Sequence, residues 1–516
     1  MNPTAVAAPA EALEKFYAQQ ARWAAAADGS GLLEAEIEVP LDYADPAGER
    51  IRITVGLLPA SDPARRRGVL VALNGGPGGH NGLGPRMPLR LAGSAVHEVY
   101  DLVGFDPRGW GRSAPLLREV TVPTAPWSSR PADADFELIA QDMKAVEEAA
   151  ARLGGRLRAH VTTSNVARDL DVIRAVLGEE KISLLGYADG THTGSVYGTL
   201  FGARVDRHVF DSPVDPAAMW RGQYMTQAVA IRRNVDAWAA WTAERNLTYG
   251  LGAAAAAVID SVELLGARLA ESPFGGVDQT VLDGAVGLGS THRPLWGELA
   301  ATVAALRAGD FAAVKAAWLF AAPDWERPAP GATTQSGVVE AATAEGDWPK
   351  DLEVYYRDMR EYRDKYPYGY GVLRAAPWVS AFRATEPLEP MPVVAREYYA
   401  PGLVVHAEGN PTLSYLGGVE MAKRLGDRLI TVADDGRNEI FFARRIAAVD
   451  EAVTAYLVDG VLPESDLVVS GTARPQVAAD RDLGGAPAPN AGAAPKTEQI
   501  ERYLEQNRAA LKPRVE

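Results

Sequence analysis

Short apolar runs that stop abruptly at glycine, proline or aspartate constrain this chain more than any other feature. GVLVAL at 68–73 ends in Asn74-Gly75-Gly76-Pro77-Gly78-Gly79, VYDLVGF at 99–105 ends in DPRGWGRS, and ISLL at 182–185 ends in Gly186-Tyr187-Ala188-Asp189-Gly190. RHVFD at 207–211, GLVVH at 402–406 and RLITV at 428–432 repeat the pattern. Continuous apolar runs bounded in this way read as parallel strands buried on both faces. Helical spacing at about 134–153, 163–178 and 445–457 alternates with them. The chain is therefore predicted to be an α/β protein built on a doubly wound, mostly parallel sheet.

The rest of the chain is arranged around that sheet. Residues 36–58 read as two alternating strands around a polar turn, and 11–27 as a helix. From 216 to about 390 helical periodicity dominates, and eight of the 11 Trp lie there, with Tyr355, Tyr356, Tyr362, Tyr366, Tyr368 and Tyr370 nearby. The expected division is an N-terminal helical segment at 1–35, an α/β core at 36–215 and 396–465, a helical cap inserted at 216–395, and a flexible stretch with a terminal helix at 466–516. Ala, Gly and Pro dominate 470–495.

Composition removes several function classes. The 516 residues are 47% hydrophobic and 23% charged, as in globular proteins, and no apolar run is long enough to span a bilayer. A formal charge of −15 argues against nucleic acid as a partner, because duplex binding needs clustered cations. With no cysteine there is no disulfide, thiolate metal site or cysteine nucleophile, which suits a reducing cytoplasm. The start, MNPTAVAAPAEALEKF, lacks a basic residue run followed by an apolar stretch, so a cytoplasmic location is expected. No Gly-Lys-Ser/Thr or dinucleotide fingerprint occurs, and no metal-ligand spacing stands out. Neither a metal nor a cofactor is expected, nor a membrane partner.

Four stretches together resemble the α/β-hydrolase fold, in particular the tripeptidyl aminopeptidase and proline iminopeptidase branch of actinobacteria. They are NGGPGG at 74–79, YDLVGFDPRGWGRS at 100–113, 162–191 through LLGYADGT, and the segment from PGLVVHAEGNPTLSY through YLVDGVLP. The resemblance implies a strand–turn–helix elbow exposing a serine, then an acid, then a histidine, with the glycine-rich loop donating N–H groups to an oxyanion hole. On this chain the elbow position holds Ala188, the acid position Asn410 and the histidine position Arg437. A shift of two residues would put Glu439 in that last place. None of the seven His lies beyond His406. The triad implied by the resemblance is vacant at all three places.

Substrate contact is expected at Asn74, Gly75, Gly76, Ala188 and Asp189. Asp189, His192, Arg437, Asn410 and His80 are the candidate catalytic residues. Asp189 is read either as a base replacing the lost dyad or as a helix cap. His192 is read as a base or a buried structural imidazole, and His80 as a proton donor or a solvated loop residue. Arg437 is a fixed cation for a substrate oxygen or the partner of Asp434, Asp435 or Glu439. Asn410 either hydrogen-bonds a ligand or fills a vacated polar site. An oxyanion cradle without a nucleophile leads to the expectation of a cofactor-free, non-hydrolytic cyclase or C–C bond-forming enzyme acting on a bulky aromatic or polyketide intermediate. The alternatives are a rewired esterase or aminopeptidase, and a ligand-sequestering pseudo-hydrolase.

Overall fold

The computed structural model describes residues 10–76, 83–321, 329–383, 386–484 and 492–512. Among the described residues twelve strands occur: β1 (Ala24–Ala25), β2 (Leu33–Pro40), β3 (Arg50–Leu58), β4 (Gly68–Leu73), β5 (Tyr100–Phe105), β6 (Arg118–Glu119), β7 (Ile182–Tyr187), β8 (Val205–Asp211), β9 (Thr333–Thr334), β10 (Leu403–Ala407), β11 (Arg428–Ala433) and β12 (Leu467–Ser470). Ten of them form one sheet in the order β1-β2-β3-β5-β4-β7-β8-β10-β11-β12. β1, β2, β3 and β5 pair antiparallel in succession, and every later pair is parallel. The chain thus has the mostly parallel α/β sheet that its apolar runs announced, in the α/β-hydrolase arrangement that the resemblance implied.

Burial follows from position in that sheet. Every residue of β4, β7 and β10 is buried, because helices cover both faces. Alternate side chains feed two separate cores. Val69, Val71, Leu73, Leu184 and Phe210 pack on one face. Leu70, Ala72, Leu185, Val209 and Val405 pack on the other.

Between β8 and β10 the described chain is mainly helical, with Arg221–Ala243, Ala255–Glu271, Gln279–Gly289, Trp296–Ala308, Ala312–Ala321 and Leu352–Lys365 as its main helices. Trp238, Trp241 and Trp296 fill a core internal to this region, and Trp238 Nε1 donates to the Trp296 carbonyl at 3.2 Å. One strand does occur here: β9 pairs antiparallel with β6.

Both chain ends differ from expectation. The first helix is Ala10–Tyr17, shorter than 11–27, and β1 and the start of β2 also fall within 1–35. Just past the helix, the Gln19 side chain pairs with β2 as a strand would. Its Nε2 donates to Glu38 O at 2.8 Å, and Glu38 N donates to its Oε1 at 2.9 Å. At the other end, β12 adds an edge strand to β11, so the sheet runs past 465. The helix Thr497–Ala509 docks on the helical region, burying Ile500 and placing Lys315 Nζ 2.7 Å from Glu501.

Candidate active site

β7 enters the helix Asp189–Phe201 through Ala188, whose φ of 50° and ψ of −120° are rare for a residue with a side chain. Holding it there costs about 1–3 kcal/mol. Ala188 N donates to Asp211 O at 3.1 Å, and Thr191 returns two bonds to Ala188 O, 3.0 Å from N and 2.6 Å from Oγ1. The turn is tight enough that a Cβ on Gly190 would strike the Leu73 carbonyl oxygen. This is a strained nucleophile elbow with a methyl group at its tip.

An oxyanion cradle remains beside it. As first residue of its helix, Asp189 has a backbone N–H with no intrahelical acceptor. Asn74, Gly75 and Gly76 follow β4 on the neighbouring strand end. A Cβ on Gly75 would stand 3.0 Å from the Ala188 methyl and 3.7 Å from Glu439 Oε1. The last distance matters, because it puts Glu439, on the loop after β11, beside the elbow.

Arg437 is elsewhere. Its guanidinium clamps Asp435, with Nη2 2.6 Å from Oδ2 and Nε 2.9 Å from Oδ1. Of the partners open to it in sequence, Asp435 wins because the two residues sit two apart in one turn, where the Arg437 N–H also donates to Asp435 Oδ1. Of the two residues, Glu439 and not Arg437 is the one that comes beside the elbow. Arg90 holds Glu439 from below, Nη1 to Oε2 at 2.8 Å, and stacks 4.5 Å over the Tyr187 ring. The loop is anchored by Asp211, whose Oδ2 accepts from Phe441 N at 2.6 Å and whose Oδ1 accepts from Ser212 Oγ at 2.9 Å. Burial pushes the Asp211 carboxyl up to about 6. Asp211 was not singled out in the sequence, although an acid closing a buried strand is a signal that can be read.

The remaining candidates divide. Asn410 is fully buried, and its Oδ1 accepts from Thr412 N and Leu413 N at 3.0 and 3.1 Å. It shapes its own loop. His192 is also buried and lies outside the wall of the cleft, and burial lowers its imidazole to about 4. It is a neutral interior ring at physiological pH. His80, with 77–79 of the glycine-rich loop, lies outside the described residues. Among the described residues no three His, Asp or Glu side chains come together as a metal site.

Asp189 does face open space. A cleft of about 620 Å³, counting its open mouth, is lined by Asn74, Thr162, Thr163, Asp189, Thr193 and Trp220 among others. Burial alone raises the Asp189 carboxyl to about 7. Its carboxylate makes no hydrogen bond with a described residue. Glu345, from the helical region, accepts a hydrogen bond from Thr163 N at the start of the helix Thr163–Val176. Burial raises Glu345 to about 8, and the charge of Asp189 adds to the rise. Nothing in the sequence marked Glu345: it meets Thr163 across 182 positions and belongs to no motif. Of the tryptophans at 216–390, Trp220 is the one described residue that lines the cleft, and Trp325 lies outside the described residues. The others fill packing positions or, like Trp318, face solvent.

An elbow at the end of a central strand, a cradle beside it and a helical region over the cleft define an α/β hydrolase. Residues 68–265 match the α/β hydrolase fold family and 374–469 match the TAP-like protein family. The chain is 33% identical over 462 residues to the tripeptidyl aminopeptidase of Streptomyces lividans, covering 85% of this chain and 84% of that one. It is 29% identical to serine protease Hip1 of Mycobacterium tuberculosis, with coverage of 84% and 86%. It is 28% identical to carboxylesterase B of the same species, with coverage of 84% and 85%. The chain belongs to the tripeptidyl-aminopeptidase-like family of α/β hydrolases.

These relatives overturn the expectation of a non-hydrolytic cyclase or C–C bond-forming enzyme, since all three carry the names of peptidases or an esterase. The physical reason is that a missing serine excludes an acyl-enzyme and leaves attack by water open. Among the described residues, no helix is long and apolar enough to cross a membrane.

Proposed function

We propose that this chain hydrolyses ester or amide bonds by direct attack of water, with Asp189 as general base and Glu345 as general acid. The observation that carries the reading is a raised carboxyl on the cleft wall, Asp189 at about 7, with a second, Glu345 at about 8, bonded to the N–H of the cleft residue Thr163. Groups whose environments set different proton affinities at one site divide into base and acid. Burial holds both carboxyls towards the protonated form, and a charge on Asp189 favours the protonated form of Glu345 further.

The step balances with these two groups. Asp189 takes a proton as water oxygen bonds to the carbonyl carbon. The charge developing on the carbonyl oxygen meets the Asp189 N–H and the Asn74–Gly76 loop. Collapse breaks the bond to the leaving oxygen or nitrogen, which takes the Glu345 proton. Proton transfer from Asp189 to Glu345 through solvent restores both. Ala188 has no part beyond shaping the elbow.

A panel of aminoacyl and tripeptidyl nitroanilides and nitrophenyl esters tests this. Turnover is expected to resist fluorophosphonate and to fall by about 100-fold or more in Asp189→Asn, the range for loss of a positioned base. Turnover that survives in Asp189→Asn/Glu345→Gln, or no turnover on any member of the panel, overturns the proposal.

A further inference from the structure

The lining of the cleft divides by chemistry. Its polar groups come from Asn74, Thr162, Thr163, Asp189 and Thr193. Its apolar part includes Phe105 at the end of β5, Val161 and Val166 around the start of the helix Thr163–Val176, and Val338 and Ala342 from the helical region. Val161 and Val338 meet across Gly109, where a Cβ would stand 3.2 Å from a methyl of each. With Leu116, Ala341 and Ala342 they form a small apolar cluster, apart from the two cores of the sheet and from the core of the helical region. That cluster ties the loop after β5 to the helix Gly337–Thr343, so this part of the lining is fixed in place.

The same helix carries the proposed acid. Val338 and Ala342 are four apart and share one face. Glu345 follows three residues on, where the chain is still turning, and its N–H donates to Ala342 O at 3.4 Å. Its carboxylate bonds Thr163 N, and Thr163 lines the cleft together with Val161. By the rise of a helix, Ala342 lies about 4.5 Å and Val338 about 10 Å along the axis from Glu345.

Packing does not account for this lining. Phe105, Val161, Val338 and Ala342 are each under a tenth exposed, yet they border a space of about 620 Å³, its open mouth included. Apolar side chains around such a space forgo dispersion contacts that an apolar occupant restores. No fixed cation is free to hold an anion there. Arg108 is the one cationic residue of the described lining, and its guanidinium is taken up by Asp169 and the carbonyls of Pro40, Leu41 and His160.

We infer that Val338 and Ala342, with Val161 beside Val338, form a subsite for the leaving group, so that the preferred ester or amide releases an alcohol or amine bearing an uncharged aliphatic chain. The placement on the leaving side rests on the reading of Glu345 as the acid that protonates the leaving atom. The apolar subsite rests on the lining alone. A chain that starts beside Glu345 runs along the helix face past Ala342 to Val338.

The test follows acid release from ethyl, butyl and hexyl acetate, and from ethyl butyrate and ethyl hexanoate. In wild type kcat/KM is expected to rise about 10-fold from ethyl to butyl acetate and again to hexyl acetate, the gain from burying two methylenes each time. Along the acyl series it is expected to change little. Ala342→Phe fills the subsite and is expected to bring the ratio of hexyl to ethyl acetate to about one. Ala342→Leu takes its place if urea denaturation shows Ala342→Phe unfolded. Calorimetry measures binding of hexan-1-ol, which no hydrolase consumes. It is expected to bind wild type and Asp189→Asn, and to bind Ala342→Phe at least about 10-fold more weakly. 6-Hydroxyhexanoate, which puts a charge at the far end of the chain, is expected to bind wild type at least about 10-fold more weakly than hexan-1-ol. Selection along the acyl series instead, equal loss of all esters in the variant, or hexan-1-ol binding that is absent or indifferent to Ala342 overturns the inference. So does equal binding of 6-hydroxyhexanoate. Hexan-1-ol binding that depends on Ala342, without turnover of any ester, overturns the hydrolytic reading and leaves the apolar subsite standing.

Discussion

Arg90 and Glu439 form a buried ion pair, 2.8 Å between Nη1 and Oε2, beside the methyl group of Ala188. The side chains are 4% and 8% exposed, so the pair stands out of water and is not a solvated surface contact. The arginine makes the carboxylate a fixed strut beside the elbow. Removing one member leaves the other charged and buried.

Glu439→Gln is therefore expected to destabilise the protein by about 3–5 kcal/mol, the cost of orphaning a buried charge. Urea denaturation measures it. Loss of under 1 kcal/mol would mean that Arg90 finds solvent or another acceptor.

Asp189 makes stability depend on pH. Its carboxyl is raised from 3.8 in the unfolded chain to about 7 in the fold. Below pH 4 both states are protonated, and the fold enjoys the full benefit. As pH rises towards 7 the unfolded chain releases its proton while the fold keeps it, so stability falls across that window and levels above it. Asp189→Asn has no proton to lose. Its stability relative to wild type is expected to improve by roughly 2 kcal/mol between pH 4 and pH 8, the full conversion being reduced because the cleft is partly open to solvent. The pH series of denaturation midpoints checks this, and a parallel series for both proteins rules it out. The rate should rise with pH through the same region, since the base acts when ionised.

Arg108, from the DPRG turn after β5, is the principal strut on the cleft's other side. Its guanidinium bonds Asp169 at 2.6 and 2.8 Å and donates to the carbonyls of Pro40, Leu41 and His160, with Tyr43 OH completing Asp169 at 2.8 Å. Both charged side chains are 0% exposed. Arg108→Met should cost about 3–5 kcal/mol, whereas Arg156→Met, whose ion pair is mostly exposed, should cost under about 1 kcal/mol. Thermal melts of the two variants compare them directly.

The sheet was legible because buried strands write themselves as apolar runs: GVLVAL and GLVVH are buried almost throughout. The elbow was legible from the glycines of GYADG. Its chemistry was only half so. Ala188 and Asp189 can be read from spacing along one turn, but Glu439 depended on a loop register that a two-residue slip decides. Glu345 meets Thr163 only when the helical region folds over the sheet, and no local pattern encodes a meeting across 182 positions. Trp238 and Trp296 serve as core of the helical region.

The vacant triad can be refilled to ask what the elbow still supports. Ala188→Ser alone places a hydroxyl on a turn that already has the strained φ of 50°. The two places where a triad would supply its base and acid are taken, because Glu439 is tied to Arg90, and Asn410 spends its Oδ1 on Thr412 N and Leu413 N. Ala188→Ser is expected to remain unlabelled by a fluorophosphonate probe. Adding Glu439→His with Asn410→Asp supplies a base beside the elbow and a carboxylate on the loop after β10, which is what activation of a serine requires. The triple variant should gain labelling at Ser in position 188, measured by mass spectrometry, at the cost of the Arg90 ion pair and some stability. Labelling of the single variant that persists in Ala188→Ser/Asp189→Asn would show that a base already reaches the elbow, and Glu439 would then be more than a strut.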